Sequence, residues 1–235
     1  MSISKEAIKR IAHDIKQITK SPLIDQGIYY KHDEDNILQG SVMIIGPQNT
    51  PYENGLFFFD IEFPLNYPHS PPKVKYLTNY DNIRFNPNLY RSGKVCISIL
   101  NTWRGDSWTS SITLSSVLLH LCTLLNEKPI LNEPGILETH MDFNNYNEII
   151  RYKTIECSLM KQINEIDNIP HLTLFKDDII KHFINNIKNI RKNINVSKQI
   201  YPNKTIISTN LYKMECILEY NKLYNNINKL YRKIK

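Results

Sequence analysis

Long apolar runs are missing from this chain. The longest, around Val117–Leu125, is interrupted by His120 and Thr123. A membrane span needs roughly 20 apolar residues in succession, so no membrane partner is expected. The opening Met1-Ser2-Ile3-Ser4-Lys5-Glu6 has neither an apolar core nor a small-residue cleavage site, so it does not read as a secretory signal. Cysteine is sparse and unpaired: Cys96, Cys122, Cys157 and Cys216 lie far apart and none forms a C-x-x-C. That argues against a zinc site and a disulfide scaffold, and suits a reducing, cytoplasmic or nuclear compartment. Excess positive charge is absent from residues 1–150, which carry 13 Lys/Arg against 16 Asp/Glu. Residues 151–235 carry 16 against 7, so the formal net charge of +6 comes entirely from the last third. Any polyanion-binding role would belong there.

What is present is enough to bury a core. The 235 residues are 41% hydrophobic and 22% charged, which reads as one large soluble domain, or one of ~150 residues with an extension. Asn and Ile are overused (27 and 35 residues), a bias attributed to an AT-rich genome rather than to chemistry.

Ser4 and Glu6 predict the start of an amphipathic helix, with Ile8, Ile11, Ile15 and Ile18 as its stripe and Ser21-Pro22 as its end. Its lysines read, on pattern alone, as a solvated face. Strands are predicted at Gly27–Lys31, Leu38–Ile45, Phe57–Phe63 and Val74–Leu77, the third with a clear period of two. Pro64–Pro72 holds too many prolines for a helix and reads as an ordered extended loop. Residues 79–110 show no periodicity, which inside a compact domain points to function. Helices are predicted at Thr113–Glu127 and Tyr146–Ile166. Beyond them a helix follows Asp177-Asp178, Val196–Lys204 is a polar connection, and Ser208 or Thr209 caps a last helix on which Met214, Ile217, Tyr220 and Tyr224 step by three and four. The fold class is therefore α+β: an N-terminal helix, a four-stranded antiparallel meander, an active-site coil, C-terminal helices, and a further basic helical extension.

From the pattern alone, Cys96 between Val95 and Ile97 reads as a small core residue. Its setting in a Gly- and Pro-containing coil marks it out from Cys122, Cys157 and Cys216, which read as structural. No His or acid adjoins it. His69, His120 and His140 are the histidines that could approach it in space to make a Cys–His pair.

The run Gly46–Thr78, GPQNTPYENGLFFFDIEFPLNYPHSPPKVKYLT, strongly resembles the ubiquitin-conjugating enzyme family, which has a G-P-x-x-T-P-Y-x-x-G turn, a strand ending in F-P and a Y-P-x-x-P-P-K-V loop. The family's His-Pro-Asn lies eight residues before its catalytic cysteine, counted from the Asn. Here Asn86-Pro87-Asn88 stands eight before Cys96, with Gly93 between, and Trp108 opens the family's next helical segment. The resemblance covers about residues 4–165. Asn86 replaces the usual His, the segment from Leu100 to Trp108 is longer by about four residues, making a flap at Trp103–Ser107, and Asn132-Glu133-Pro134-Gly135 follows. These features are similar to those of the family's larger divergent members.

The resemblance implies a conjugating domain at residues 1–166 and an extension at 167–235. It implies a thioester between Cys96 and ubiquitin or a ubiquitin-like protein, taken from an activating enzyme that itself consumes the ATP, so no cofactor is expected here. A substrate lysine is the acceptor, usually with a ligase. Asn88 would be the oxyanion donor or loop organiser, and Glu133 the acid nearest in sequence to the one that assists the lysine. Lys5, Lys9 and Arg10 match the activating-enzyme docking helix. His69 and Ser110 stand at the ligase-gripping positions but are not the residues ordinary RING or HECT ligases grip. Two rivals remain: an inactive scaffold of the same fold, against which Cys96 and Asn88 argue, and a polyanion-binding tail, ranked below packing of the tail on the body.

Overall fold

A computed structural model of the protein describes residues 3–235; Met1 and Ser2, part of the segment weighed above as a signal, lie outside the described residues. Helix α1 spans Lys5–Lys20. Ser4 caps it as expected, its Oγ accepting from the Ala7 N–H at 3.0 Å and offsetting one of the helix's unpaired amides. Ala7, Ile11 and Ile18 turn inward.

The strands β1 (Ile28–His32), β2 (Gln39–Ile45), β3 (Leu56–Glu62) and β4 (Lys73–Tyr76) form one antiparallel sheet in the order β1-β2-β3-β4, the expected meander. Gly46, at the turn leaving β2, is required by close approach: a Cβ there would sit 1.7 Å from the Tyr52 carbonyl oxygen. Register places Tyr30, Val42 and Phe59 on one face, and Tyr29, Met43 and Phe58 on the other.

Strict alternation predicts that one face of β3 meets water, yet Phe57, Phe58 and Phe59 are all fully buried. The cause lies beyond residue 166. Helix α2 (Leu114–Thr123) is capped by Thr113. Helix α3 (Phe143–Lys153) then continues unbroken through a π-helical stretch, Thr154–Lys161, into α4 (Gln162–Asn164). After it, α5 (Pro170–Leu174) and α6 (Lys176–Ile200) cover the second face. Phe58 meets His171 and Phe175 at ring-centroid distances of 5.0 and 6.0 Å. Lys31 Nζ donates to the Leu174 carbonyl at 2.8 Å. The sheet is thus packed on both faces.

The extension corrects the sequence reading. Helix α6 runs through Val196 to Ile200, where a connection was expected. Thr205–Thr209 (β5) and Met214–Leu218 (β6) pair as an antiparallel hairpin where the last helix was expected to begin, and only Tyr220–Ile234 (α7) is helical. The three-residue steps Met214, Ile217, Tyr220 mimic a helix. In the structure Met214, Cys216 and Leu218 point inward while Glu215 and Ile217 point out, the period of a strand. Helices α6 and α7 pack together, with Phe183 against Tyr231. One buried apolar cluster runs from Ala7 to Leu230. Among the described residues, no helix is long and apolar enough to cross a membrane.

Candidate active site

Cys96 lies in the coil after β4, just before a 3-10 turn at Ser98–Leu100. Asn88 clamps it from both sides of the peptide chain. The Cys96 N–H donates to the Asn88 carbonyl at 2.9 Å, and Asn88 Nδ2 donates to the Cys96 carbonyl at 2.7 Å. Gly93, at φ 89°, provides the left-handed reversal between them. The offset read from the sequence is therefore a direct contact. The amide that could serve an oxyanion organises the cysteine loop.

Asn86 is the residue whose importance the sequence reading underrated. It is fully buried. Its Nδ2 donates to Tyr52 Oη at 3.0 Å and to the Leu124 carbonyl at 2.7 Å; its Oδ1 accepts from the Asn88 N–H at 2.9 Å and from Asn132 Nδ2 at 3.2 Å. Both donors and both lone pairs are in use, which an imidazole, with two ring nitrogens, cannot reproduce. The replacement of His by Asn thus comes with its own network, joining the tripeptide to the end of α2 and to the loop that carries Glu133.

Arg84 braces the same segment. It is only 8% exposed, and no carboxylate pairs with it among the described residues. Its Nε donates to the Asn86 carbonyl at 3.1 Å and its Nη2 to the Pro87 carbonyl at 2.6 Å. The guanidinium lies 3.5 Å from the ring centre of Tyr90 and 5.2 Å from that of Tyr212. A planar cation that stacks and donates in a fixed fork suits this slot, and lysine would not.

The residue Cys96 is 2% exposed, whereas the flap at residues 101–107 is exposed throughout. The flap is tied at its roots. Thr102 Oγ1 accepts from the Ile97 N–H and donates to the Ile97 carbonyl, both at 3.0 Å. Asn101 Oδ1 accepts from the Trp108 N–H at 2.8 Å. The three histidines considered as partners are engaged elsewhere: His69 with Glu6, His120 with the Ser116 carbonyl, His140 with the Asp142 N–H.

Glu133 sits next to Asn132, and its Oε2 accepts from the Tyr212 hydroxyl at 2.5 Å. Tyr212 comes from the hairpin of the extension, 79 residues away in sequence. No single-residue signal in the sequence marks Tyr212 as part of the site.

The partner candidates form a second group. Arg10 is held in place: Nε contacts Asp14 at 3.1 Å, Nη1 donates to the Ser110 carbonyl, and Nη2 to the Ile112 carbonyl at 2.6 Å. Lys5 and Lys9 are exposed. His69 meets Glu6 at 3.0 Å on the surface, and Ser110 Oγ donates to the Pro68 carbonyl at 3.2 Å. The structure therefore gathers Arg10, His69 and Ser110 around the end of the proline loop.

Cys157 and Cys216 are buried and Cys122 is half-buried; all four cysteines are free. Asp81, Glu156 and Cys157 approach one another closely enough to suggest a metal. The carboxylates are already matched by Lys153, 2.6 Å from Glu156 and 3.3 Å from Asp81, and by Lys161. Burial, with the hydrogen bond to Asp81 adding to it, pushes the Cys157 thiol above its ordinary pKa.

The sequence model of the family described as "Ubiquitin-conjugating enzyme" matches residues 10–154. The chain is 43% identical over 163 residues to "Ubiquitin-conjugating enzyme E2 Z" of Xenopus tropicalis, covering 68% of this chain and 51% of that protein. It is 37% identical over 208 residues to "Probable ubiquitin-conjugating enzyme protein 17" of Caenorhabditis elegans, covering 79% and 28%. It is 37% identical over 190 residues to human "Dual E2 ubiquitin-conjugating enzyme/E3 ubiquitin-protein ligase BIRC6", covering 74% and 4%. The chain spans about half the length of the E2 Z proteins it matches.

Proposed function

Because the chain belongs to the ubiquitin-conjugating enzyme family, we propose that it carries ubiquitin or a ubiquitin-like protein as a thioester on Cys96 and passes it to a lysine amine. The observation that supports this most is the two-way clamp between Cys96 and Asn88. A scaffold that had lost the chemistry would have no need of a cysteine held in that way.

In the first step the Cys96 thiolate attacks the thioester carbonyl carbon on the activating enzyme. The tetrahedral intermediate collapses, and the activating enzyme's thiolate leaves. One thioester replaces another, so the step is nearly thermoneutral. In the second step the acceptor amine attacks the Cys96 thioester, loses a proton, and expels the Cys96 thiolate. A free lysine has a pKa of ~10.4, so about one in a thousand is neutral near pH 7.4. Glu133 is the acid proposed to orient and deprotonate that amine. Asn88 keeps the loop in place, with one amide hydrogen left for the oxyanion; losing such a donor costs roughly 10²–10³ in rate.

Cys96 is 2% exposed, so its sulfur must be uncovered when the partner thioester arrives, and the exposed flap at residues 101–107, tied to the neighbouring Ile97 through Thr102, is the segment proposed to move. Residues 1–166 serve as the conjugating domain and 167–235 as an extension. The Asn-Pro-Asn, the long flap and the Asn132–Gly135 motif support the reading of the chain as one of the large divergent members of its family. Lys5 and Lys9 are the free cations proposed for the activating enzyme, and Arg10 shapes the surface that presents them. The Arg10 fork, held on Asp14 and on the Ser110 and Ile112 carbonyls, and the His69–Glu6 pair leave a ligase surface of unusual chemistry around Ser110. The reducing compartment proposed from the free cysteines is cytoplasmic or nuclear.

The test is charging with activating enzyme, ATP and ubiquitin. A thiol-sensitive adduct that disappears in Cys96→Ala is expected. No adduct with any of several activating enzymes and ubiquitin-like proteins, or one that survives the substitution, overturns the reading.

A further inference from the structure

Tyr212 occupies a peculiar position. It lies in the four-residue connection between β5 and β6, with φ +63°, followed by Lys213 at +48°. A bulky side chain in the left-handed region is uncommon and persists only where its surroundings hold it there. Within the hairpin the turn is closed by Thr209 Oγ1, which donates to the Leu211 carbonyl at 2.8 Å; the other side-chain contacts are to the body. Arg91 Nη2 donates to the Tyr212 carbonyl at 2.7 Å, and the Leu211 N–H donates to Asp142 at 2.8 Å. The Tyr212 ring packs on Tyr146, with centroids 6.1 Å apart, and caps the Arg84 guanidinium. Its hydroxyl then reaches Glu133. One residue of the extension thus touches both sides of the candidate site: the Arg84 brace behind Asn86-Pro87-Asn88, and the acid proposed to receive the lysine.

We propose that Tyr212 is a positioning residue for Glu133, so that the lysine-accepting side of the active site is completed by the hairpin of the extension. The inference rests on the conjugating-enzyme reading and deepens it. A carboxylate offers about four acceptor positions on two oxygens. The Tyr212 hydroxyl takes one, on Oε2, fixing the plane of the group while leaving Oε1 for the amine. Burial and the adjacent Glu133 charge push the Tyr212 hydroxyl above its ordinary pKa, so at neutral pH it remains a donor. A strained backbone, a half-buried aromatic cap and a charge-assisted hydrogen bond at one residue amount to more than the filling of a gap.

The experiment uses the full chain and separates the two half-reactions. Thioester is formed on wild type, Tyr212→Phe, Tyr212→Ala, Glu133→Gln and the double variant Tyr212→Phe/Glu133→Gln, then isolated, and its discharge onto free lysine is followed. If wild type forms no thioester, the conjugating-enzyme reading fails. If it does, the discharge rates judge Tyr212 alone. Tyr212→Phe keeps the ring over Arg84 and is expected to discharge roughly tenfold more slowly; Tyr212→Ala is expected to be slower still. The double variant is expected to be no slower than Glu133→Gln by itself, since the hydroxyl acts only through that carboxylate. A merely structural tyrosine would give losses that multiply, and that result overturns the proposal. So would a Tyr212→Phe rate equal to wild type, or a faster one, which would show that the hydroxyl restrains the acid instead of presenting it.

Discussion

The body and the extension bury their apolar surface in different ways. In the body, Tyr52 and Phe85 each meet Phe57 edge-on, and Phe59 packs at a tilt on Tyr76. The extension places its own aromatics on the body: Phe175 on Phe58, Tyr212 on Tyr146, and Tyr220 on Tyr152 at 5.1 Å. Its charges face outward, paired here and there with exposed acids such as Asp167 and Glu219. Such surface pairs contribute little. The extension, with 13 Lys/Arg against 5 Asp/Glu in residues 167–235, is therefore attached largely by rings and by hydrogen bonds between side chains and backbone, such as Lys31 to Leu174 and Arg91 to Tyr212, and its net charge says little about why it is there.

The largest effect that could break this contrast is removal of residues 167–235. It would uncover Phe58, Met43 and Tyr146 together, and the expected outcome is a body that no longer unfolds cooperatively in a thermal melt. A body melting like the full chain would mean that the extension is a true appendage. Next comes Phe175→Ala, at the centre of the contact. A loss of about 3–5 kcal/mol in urea unfolding is expected for a fully buried aromatic, whereas Lys176→Ala, next to it on the surface, is expected to leave the urea midpoint nearly unchanged.

A third test uses pH. His171, against Phe58, and His182, facing Asn54, are both held below the ordinary imidazole value, chiefly by burial. The unfolded chain therefore binds protons that the folded one refuses as pH falls through about 6.5. Stability is expected to be intact above that pH and to decline below it. His171→Phe, which keeps a ring against Phe58, is expected to flatten that decline in denaturation midpoints measured from pH 7.5 to pH 5. An unchanged slope would remove His171 from the account. The smallest effect is expected from salt: raising it should leave the melting temperature within a few degrees, because the ion pair between the two regions, Lys31 with Asp178 at 3.3 Å, is open to solvent and contributes little.

Much of the body was legible in the sequence because its signals are local. Proline excluded helix from 64–72, alternation marked β3, and Ser4 with Glu6 marked the start of α1. The link between Asn88 and Cys96 is implied by the family resemblance, which sets an Asn eight residues before the cysteine, and not by any local pattern. Three things were not legible. Burial of Phe58 depends on a segment more than a hundred residues later. The hairpin was hidden because Met214, Ile217 and Tyr220 satisfy a helical step while Met214, Cys216 and Leu218 satisfy a strand; the β-branched run Thr205-Ile206-Ile207-Ser208-Thr209 was the signal that could have decided it. Arg10 reads as one more surface cation, and only the fold shows its fork closed on Asp14 and two carbonyls.

The π-helical stretch has a consequence for modularity. The family match ends at residue 154, where that stretch begins. Four residues on, Ser158 Oγ accepts from the Leu56 N–H at 2.9 Å and donates to the Leu56 carbonyl at 2.8 Å, doing for the first residue of β3 what a neighbouring strand would do. Gly55 lies so close that a Cβ would stand 2.5 Å from Thr154 Cγ2. Strand and helix are thus fitted to each other across the recognised boundary. A chimera that swaps this extension between relatives must carry residues 55–56 and 154–158 as one exchange unit, because a seam at the end of the match would orphan the Leu56 N–H and leave its carbonyl to the Thr78 hydroxyl alone, at 3.2 Å.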